Sequence, residues 1–215
     1  MPDSLKSSIV QNVRSVLTSD GFEKPLGGMQ IRPSGKEWRS WISIRSEGSV
    51  DIKVGVFSVV IRDAMYDVIN SHLPLPYGKA KKYRVGPPNI MLPLSFLIDP
   101  DPRAQNKMPW ADIAGKDPEW VQAQIIDAIR NYAYPFFIRT FNYETLLDAA
   151  MKYGTLNQAQ QYSTPILMLL GGRRSAFRDF TELCLSHQSG TVADDYRRYI
   201  AALEPYLVGK GLLRS

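Results

Sequence analysis

Apolar side chains recur at helical spacing near the start of the chain. Leu5, Ile9, Val13, Val16 and Leu17 fall on one face of a helix predicted from Ser4 to about Ser19. Ser4 can cap it, Gly21 supplies a left-handed stop, and Phe22 can fold back over the last turn. The period then changes to two. Met29 to Pro33, Glu37 to Ser46 and Val50 to Ile61 are rich in β-branched and aromatic residues. Trp38, Ile42 and Ile44 alternate with Arg39, Ser43 and Arg45; Val50, Ile52, Val54 and Val56 alternate with Asp51, Lys53 and Gly55. Such alternation predicts strands with one buried and one wet face, paired antiparallel. Ser34-Gly35 and Glu47-Gly48-Ser49 suit hairpin loops, and Asp63 to His72 suits a short helix stopped by Pro74 and Pro76.

The stretch from Leu73 to Pro118 is proline-rich and irregular, with Ile90 to Ile98 as its apolar strand candidate. Pro93 assigns that strand an edge or a bend. Beyond it the pattern is helical. Asp117-Pro118-Glu119 combines a cap, a first-turn proline and an acidic residue facing the helix dipole. Val121, Ile125, Ile129, Tyr132 and Phe136 follow one stripe, which Pro135 is expected to kink or end. Asn142 opens the next helix, in which Leu146, Leu147, Ala150 and Met151 pack and Gly154 closes. A helix ending at Gly171-Gly172, one over Ser175 to Ser186, and one over Val192 to Leu207 capped by Thr191 complete the chain. Strands and helices are segregated, which predicts an α+β fold. The expected architecture is an antiparallel sheet of about three to five strands, preceded by one helix and followed by a C-terminal helical bundle. It is expected to form one domain, with 1–118 as helix plus sheet and 119–215 as the helical part packed on it.

Composition narrows the setting. The 215 residues are 44% hydrophobic, enough for a core without a disulfide or metal staple. A single cysteine, Cys184, fits a reducing cytoplasm. The polar start from Met1 to Lys6 lacks a signal-peptide pattern, and no apolar run reaches the ~20 residues of a membrane span. A net charge of +5 fits a soluble protein and leaves room for an anionic partner.

Candidate chemistry is sparse. Cys184 and His187 stand within helical reach, but Phe177, Phe180 and Leu183 around the thiol favour a buried, inert cysteine. Two histidines, His72 and His187, with one cysteine do not make a zinc site. Asp99 and Asp101 offer oxygens to a hard cation without the glycine and distal glutamate of a calcium loop, so neither metal nor cofactor is expected. Glu144 and Asp148 lie one turn apart on a face expected to be wet. Two anion-binding candidates remain. One is the basic cluster Lys79, Lys81, Lys82 and Arg84 beside Tyr77 and Tyr83, a pattern that can stack on and neutralise single-stranded nucleic acid. The other is Arg173 and Arg174 after Gly171-Gly172, at a helix start.

The aromatic run Tyr132, Tyr134, Phe136, Phe137, Phe141 and Tyr143 is too rich for one helix face to bury. Tyr132, Tyr134, Phe137, Phe141 and Tyr143 are therefore candidates for a partner-binding surface, against the alternative of core packing. A resemblance joins these features. The opening helix with its Gly21-Phe22 turn, the Trp-bearing strands, the proline-rich crossover with Trp110, and Ile129-Arg-Asn-Tyr-Ala-Tyr-Pro-Phe-Phe137 resemble uncharacterised bacterial α+β domains. The likeness runs from about Leu5 to Met151. It implies a sheet backed by helices and carries no catalytic residues. Its further implication is a binding role like that of immunity or partner-binding proteins in toxin systems. The function expected from the sequence is accordingly a non-enzymatic, cytoplasmic, protein-binding domain, immunity-like or adaptor-like. Nucleic-acid binding through the basic loop and an enzyme with an unfamiliar site are the alternatives.

Overall fold

A computed structural model describes residues 2–23, 29–46, 49–73, 88–156 and 160–214. Nine α-helices and four strands are assigned among them, in α+β arrangement. The chain forms two compact units, residues 1–56 with 91–141, and residues 57–90 with 142–215. The division therefore falls elsewhere than at residue 118, because the first unit reclaims the chain from 91 to 141.

The first unit holds α1 (Pro2–Ser19) and most of a four-stranded antiparallel sheet in the order β1 (Met29–Ser34), β2 (Trp38–Arg45), β3 (Asp51–Ser58), β4 (Ile90–Pro93). Ile9, Val13 and Leu17 of α1 are buried, as their spacing predicts, and α1 packs on β1 and β2. Arg14 donates to the Ile44 carbonyl at 2.7 Å, and Gln30 Nε2 donates to the Arg14 carbonyl at 2.7 Å. Helix and sheet are thus pinned by polar as well as apolar contacts. Gly21 takes a φ of +89°, and the Phe22 amide donates to the Leu17 carbonyl while its ring enters the core. β1 and β2 pair from Met29 opposite Ser43 to Ser34 opposite Trp38. The hairpin turns at Gly35, whose φ of +63° suits a residue without Cβ.

Three expectations need correction here. β2 has no wet face in its middle: Ser40, Trp41, Ile42, Ser43 and Ile44 are all buried. Both faces are covered there, and serine is small enough to fit under a cover. The strand expected to reach Ile61 ends at Ser58, where α2 (Val59–His72) begins. Ser58 Oγ accepts from the Ile61 amide, a cap that overrides the β-branched run Val59-Val60-Ile61. The strand expected over Ile90 to Ile98 is split into β4 and α3 (Leu94–Ile98), with the break at Pro93. A 3-10 turn then follows over Pro102–Lys107. The Glu47-Gly48 part of the expected second hairpin loop lies outside the described residues.

The first unit closes with one long helical rod. α4 (Pro118–Ala128) starts at Asp117, whose carboxylate accepts from the Glu119 amide. It runs into a π-turn (Ile129–Ala133) and on into α5 (Tyr134–Thr140). Pro135 neither ends nor visibly breaks this rod. A proline inside an α-helix removes one amide and clashes with the carbonyl four residues back. A π-turn immediately before it widens the coil and relieves that clash.

The second unit is helical: α2, α6 (Tyr143–Lys152), α7 (Thr164–Leu170), α8 (Arg174–Ser186) and α9 (Gly190–Gly209). Ile166 to Leu169 are all buried, so α7 is apolar all round, and it packs against α2, α6, α8 and α9. Asn142 caps α6 through the Glu144 and Thr145 amides. Leu146, Leu147 and Ala150 are buried as expected, but Met151 is 53% exposed, one step off the buried stripe. α9 begins earlier than expected, at Gly190 rather than after Thr191. Tyr196 donates to the Gln161 carbonyl at 3.1 Å and Tyr199 donates to the Tyr162 carbonyl, so two buried tyrosines, packed on the half-buried Tyr162, hold α9 to the segment before α7.

Candidate functional site

The α4–π–α5 rod distributes the aromatic run in a way that a regular helix would not. Val121, Ile125 and Ile129 face inward. On an α-helix the next inward position would be Tyr132. A π-turn takes more than four residues per revolution, so the inward position passes to Ala133 and then to Phe136, Phe137 and Thr140, all buried. Tyr132 is turned outward and is 41% exposed. The rod carries other exposed large apolar groups: Trp120 is 46% exposed and Ile138 is 73% exposed. Neither Trp120 nor Ile138 stands out in the sequence pattern. Their signal is that each interrupts the charged and polar positions expected on a wet helix face.

The remaining aromatics sort differently. Phe137 is 3% exposed, so its ring is core and not surface. Tyr134 is half-buried. It stacks on Phe22 with ring centroids 6.1 Å apart, and Arg32 lies 5.8 Å from its centroid. Its hydroxyl donates to Asp20 Oδ2 at 2.7 Å, and Arg130 donates to both Asp20 oxygens at 3.2–3.3 Å. Burial draws the Asp20 carboxyl upward, but the hydrogen bonds from Tyr134 and Arg130, with the charges of Arg130 and Arg32, outweigh it and leave the pKa below the usual value. Burial and the bond to Asp20 push the Tyr134 phenol up. This clasp ties the end of α1 to the π-turn, and its residues are engaged with each other. Phe141 is half-buried against Trp38, with ring centroids at 6.1 Å. Tyr143, in the second unit, is half-buried at the start of α6. The five rings named from the sequence therefore do not form one exposed patch.

A small cleft opens in the first unit. It is lined by Ser49 and Val50 ahead of β3, by Asp51 and Ile52 at its start, by Pro93 and Ser95, and by Asn106, Trp110 and Ala111, with a volume of about 70 Å³. Ser95 is 3% exposed, and its Oγ has no hydrogen-bond partner among the described residues.

The chemical candidates are occupied by structural roles. Cys184 is buried; burial pushes its thiol up, and a hydrogen bond with Tyr196 only partly offsets that. His187 ends α8, with Nδ1 3.0 Å from both Ser186 Oγ and the Leu183 carbonyl, and faces solvent. Asp99 accepts from the Asp101 amide and Asp101 from the Arg103 amide, so both carboxylates shape the turn into the 3-10 segment. Among the described residues, no group of three or more His, Cys, Asp or Glu is placed to hold a metal ion. Arg173 pairs with Asp148 at 3.2 Å and Arg174 with Glu204 at 2.8 Å, both in exposed ion pairs. Lys79, Lys81, Lys82 and Arg84 lie outside the described residues. No described helix is long and apolar enough to cross a membrane.

No family model, no curated protein and no solved structure matches this chain.

Proposed function

We propose that this chain is a non-enzymatic protein-binding domain of the adaptor or immunity-protein kind, working in a reducing compartment such as the cytoplasm. The observation that carries the reading is the exposed part of the α4–π–α5 rod. Trp120, Tyr132 and Ile138 present large apolar surface there, while the inward side of the same rod already fills the core. Tryptophan and tyrosine are the residue types that dominate binding energy at protein interfaces. The π-turn supports the reading too, since it turns Tyr132 out of the stripe its sequence position would assign it.

The test is replacement of Trp120 and Tyr132 by serine, singly and together, with capture of partners by the full chain. More than half of each side chain is covered, so each replacement should lower stability by about 1–2 kcal/mol, and capture is compared at a temperature where every variant is folded. Partner capture should fall at least about ten-fold, as for a hot-spot residue worth about 1.4 kcal/mol or more. Equal capture by the folded double variant would contradict the proposal.

A further inference from the structure

We infer that one exposed stripe of the α4–π–α5 rod pairs with the same stripe of a second copy of this chain, the two rods running antiparallel about a two-fold axis at the level of Ile129. The inference rests on the reading above, that the exposed part of the rod binds protein, and it names a partner. Trp120, Ala123, Asp127, Asn131, Pro135 and Ile138 are all exposed. They follow one another at steps of three or four residues, about one turn each, so they run along one side of the rod. The steps from Asp127 to Asn131 and on to Pro135 cross the π-turn, and four residues suit its wider coil. The buried residues of the rod take the other side. Glu119 and Arg139, also exposed, flank the two ends of the stripe.

The order of steps is the same from either end, so reversing the rod about Ile129 lays the series onto itself. A two-fold dimer needs this property, because each residue i meets a residue j of the other copy and j meets i. Trp120 then falls opposite Ile138 of the second copy, and Ala123 opposite Pro135. Asp127 falls opposite Asn131, whose amide can donate to the carboxylate, and Glu119 falls opposite Arg139. Apolar meets apolar, and acid meets base or amide. A parallel pairing would set Asp127 on Asp127, Glu119 on Glu119 and Arg139 on Arg139, and like charges face to face are what interfaces avoid. Charge therefore selects the second copy and its direction together. The helix dipole alone would favour Glu119 near one end and Arg139 near the other, but it asks for no exposed Trp120 and Ile138 beside them. At 1.5 Å per residue the rod is about 34 Å long and about 10 Å wide. Such a strip is smaller than the roughly 800 Å² that each side of a standard interface contributes, so the dimer is expected to be weak, with a dissociation constant of about 10–100 μM.

The experiment is sedimentation equilibrium of the full chain from about 5 to about 500 μM, which brackets that range. The expected result is a reversible monomer–dimer equilibrium. Arg139→Glu sets two carboxylates against each other at both ends of the seam and should weaken the dimer at least ten-fold. Adding Glu119→Arg to the same chain exchanges the signs and should return the constant to within about three-fold of wild type. Asn131→Asp brings a second carboxylate against Asp127 without touching either helix end, and should weaken the dimer at least about three-fold. A monomer at every concentration, or a dimer indifferent to Arg139→Glu or to Asn131→Asp, would overturn the inference. So would an exchange of signs that fails to restore pairing, because the antiparallel register is what sets these two positions opposite each other. The two proposals fail separately. A chain that stays monomeric, yet loses another captured partner on replacement of Trp120 and Tyr132, removes only the second copy. A chain that dimerises as described and captures nothing else removes only the adaptor or immunity reading.

Discussion

At the scale of single residues, the clearest design is the clasp at Asp20. Its carboxylate takes a hydrogen bond from Tyr134 and two or more from Arg130. Tyr134→Phe removes the hydroxyl but keeps the stacking on Phe22. The expected cost is about 1 kcal/mol in denaturant unfolding, at the low end for a bond to a charged group because the site is partly wet. The pH dependence follows from the depressed Asp20 pKa. A carboxyl with a folded pKa below its unfolded value contributes stability that is present above the unfolded pKa, about 3.9, and is lost as pH falls through the folded one. The gap between wild type and Asp20→Asn should therefore be full at pH 7 and shrink below about pH 4. A gap that grows on acidification would refute the clasp. The sequence shows Asp20 as one of many acidic residues, since its partners come from about 110 positions further on and no local pattern links them.

Elements were more legible where the signal was local. The Gly21 stop, the Asp117 and Asn142 caps and the Gly154 closure all lie within a turn of the residues they serve. The strand-to-helix change at Ser58 was hidden because Val59-Val60-Ile61 suits either state, and the deciding bond is a side-chain cap. The π-turn was hidden for a different reason: one extra residue in a helix leaves its composition unchanged and alters only the phase. That phase is testable by deletion. Removing Tyr132 should convert the π-turn to regular helix and keep Ile129 and Phe136 inward, leaving a folded protein with a lower melting point. Removing Gln124 instead, from the α-helical part, rotates Val121 away from Ile125 and should abolish cooperative unfolding. Equal tolerance of both deletions, read by circular dichroism melting, would contradict the phase argument. Packing between elements is tightest at Gly171. A Cβ there would meet Leu147 Cδ2 at 3.0 Å and the Leu167 and Tyr143 carbonyls at 3.1 and 3.2 Å. Gly171→Ala should cost roughly 1–3 kcal/mol by overpacking α7 against α6. Gly172→Ala meets open space, and its cost of about 1–2 kcal/mol comes from the φ of +73° alone.

For the whole molecule, α+β segregation was readable because strand and helix periods occupy separate stretches of the chain. The division into units was not, since it depends on residues 57–90 joining the C-terminal helices. α2 lies in that segment and packs on α7 and α9, with Tyr206 donating to Asp67 at 2.8 Å. Burial first, and then the Asp67 bond and the charges of Asp67 and Asp63, push the Tyr206 phenol up to about 12. A fragment starting at Asn142 lacks α2 and should be helical but loosely packed, binding a hydrophobic dye and melting without a cooperative transition. A sharp transition would show that α2 is dispensable. Function is the least legible level, because chemistry announces itself through clustered polar residues, whereas a binding surface is a matter of which apolar residues remain outside.

That surface is where the account is most exposed to test. The triple variant Trp120→Ser, Tyr132→Ser, Ile138→Ser changes three exposed side chains on one rod and no buried ones. The direct measurement is the dissociation constant of the captured partner for wild type and for this variant, with melting curves alongside. The account predicts a variant that still unfolds cooperatively, at a somewhat lower melting temperature, with at least a hundred-fold loss of affinity, about 2.7 kcal/mol. A folded triple variant that binds as tightly as wild type would contradict it.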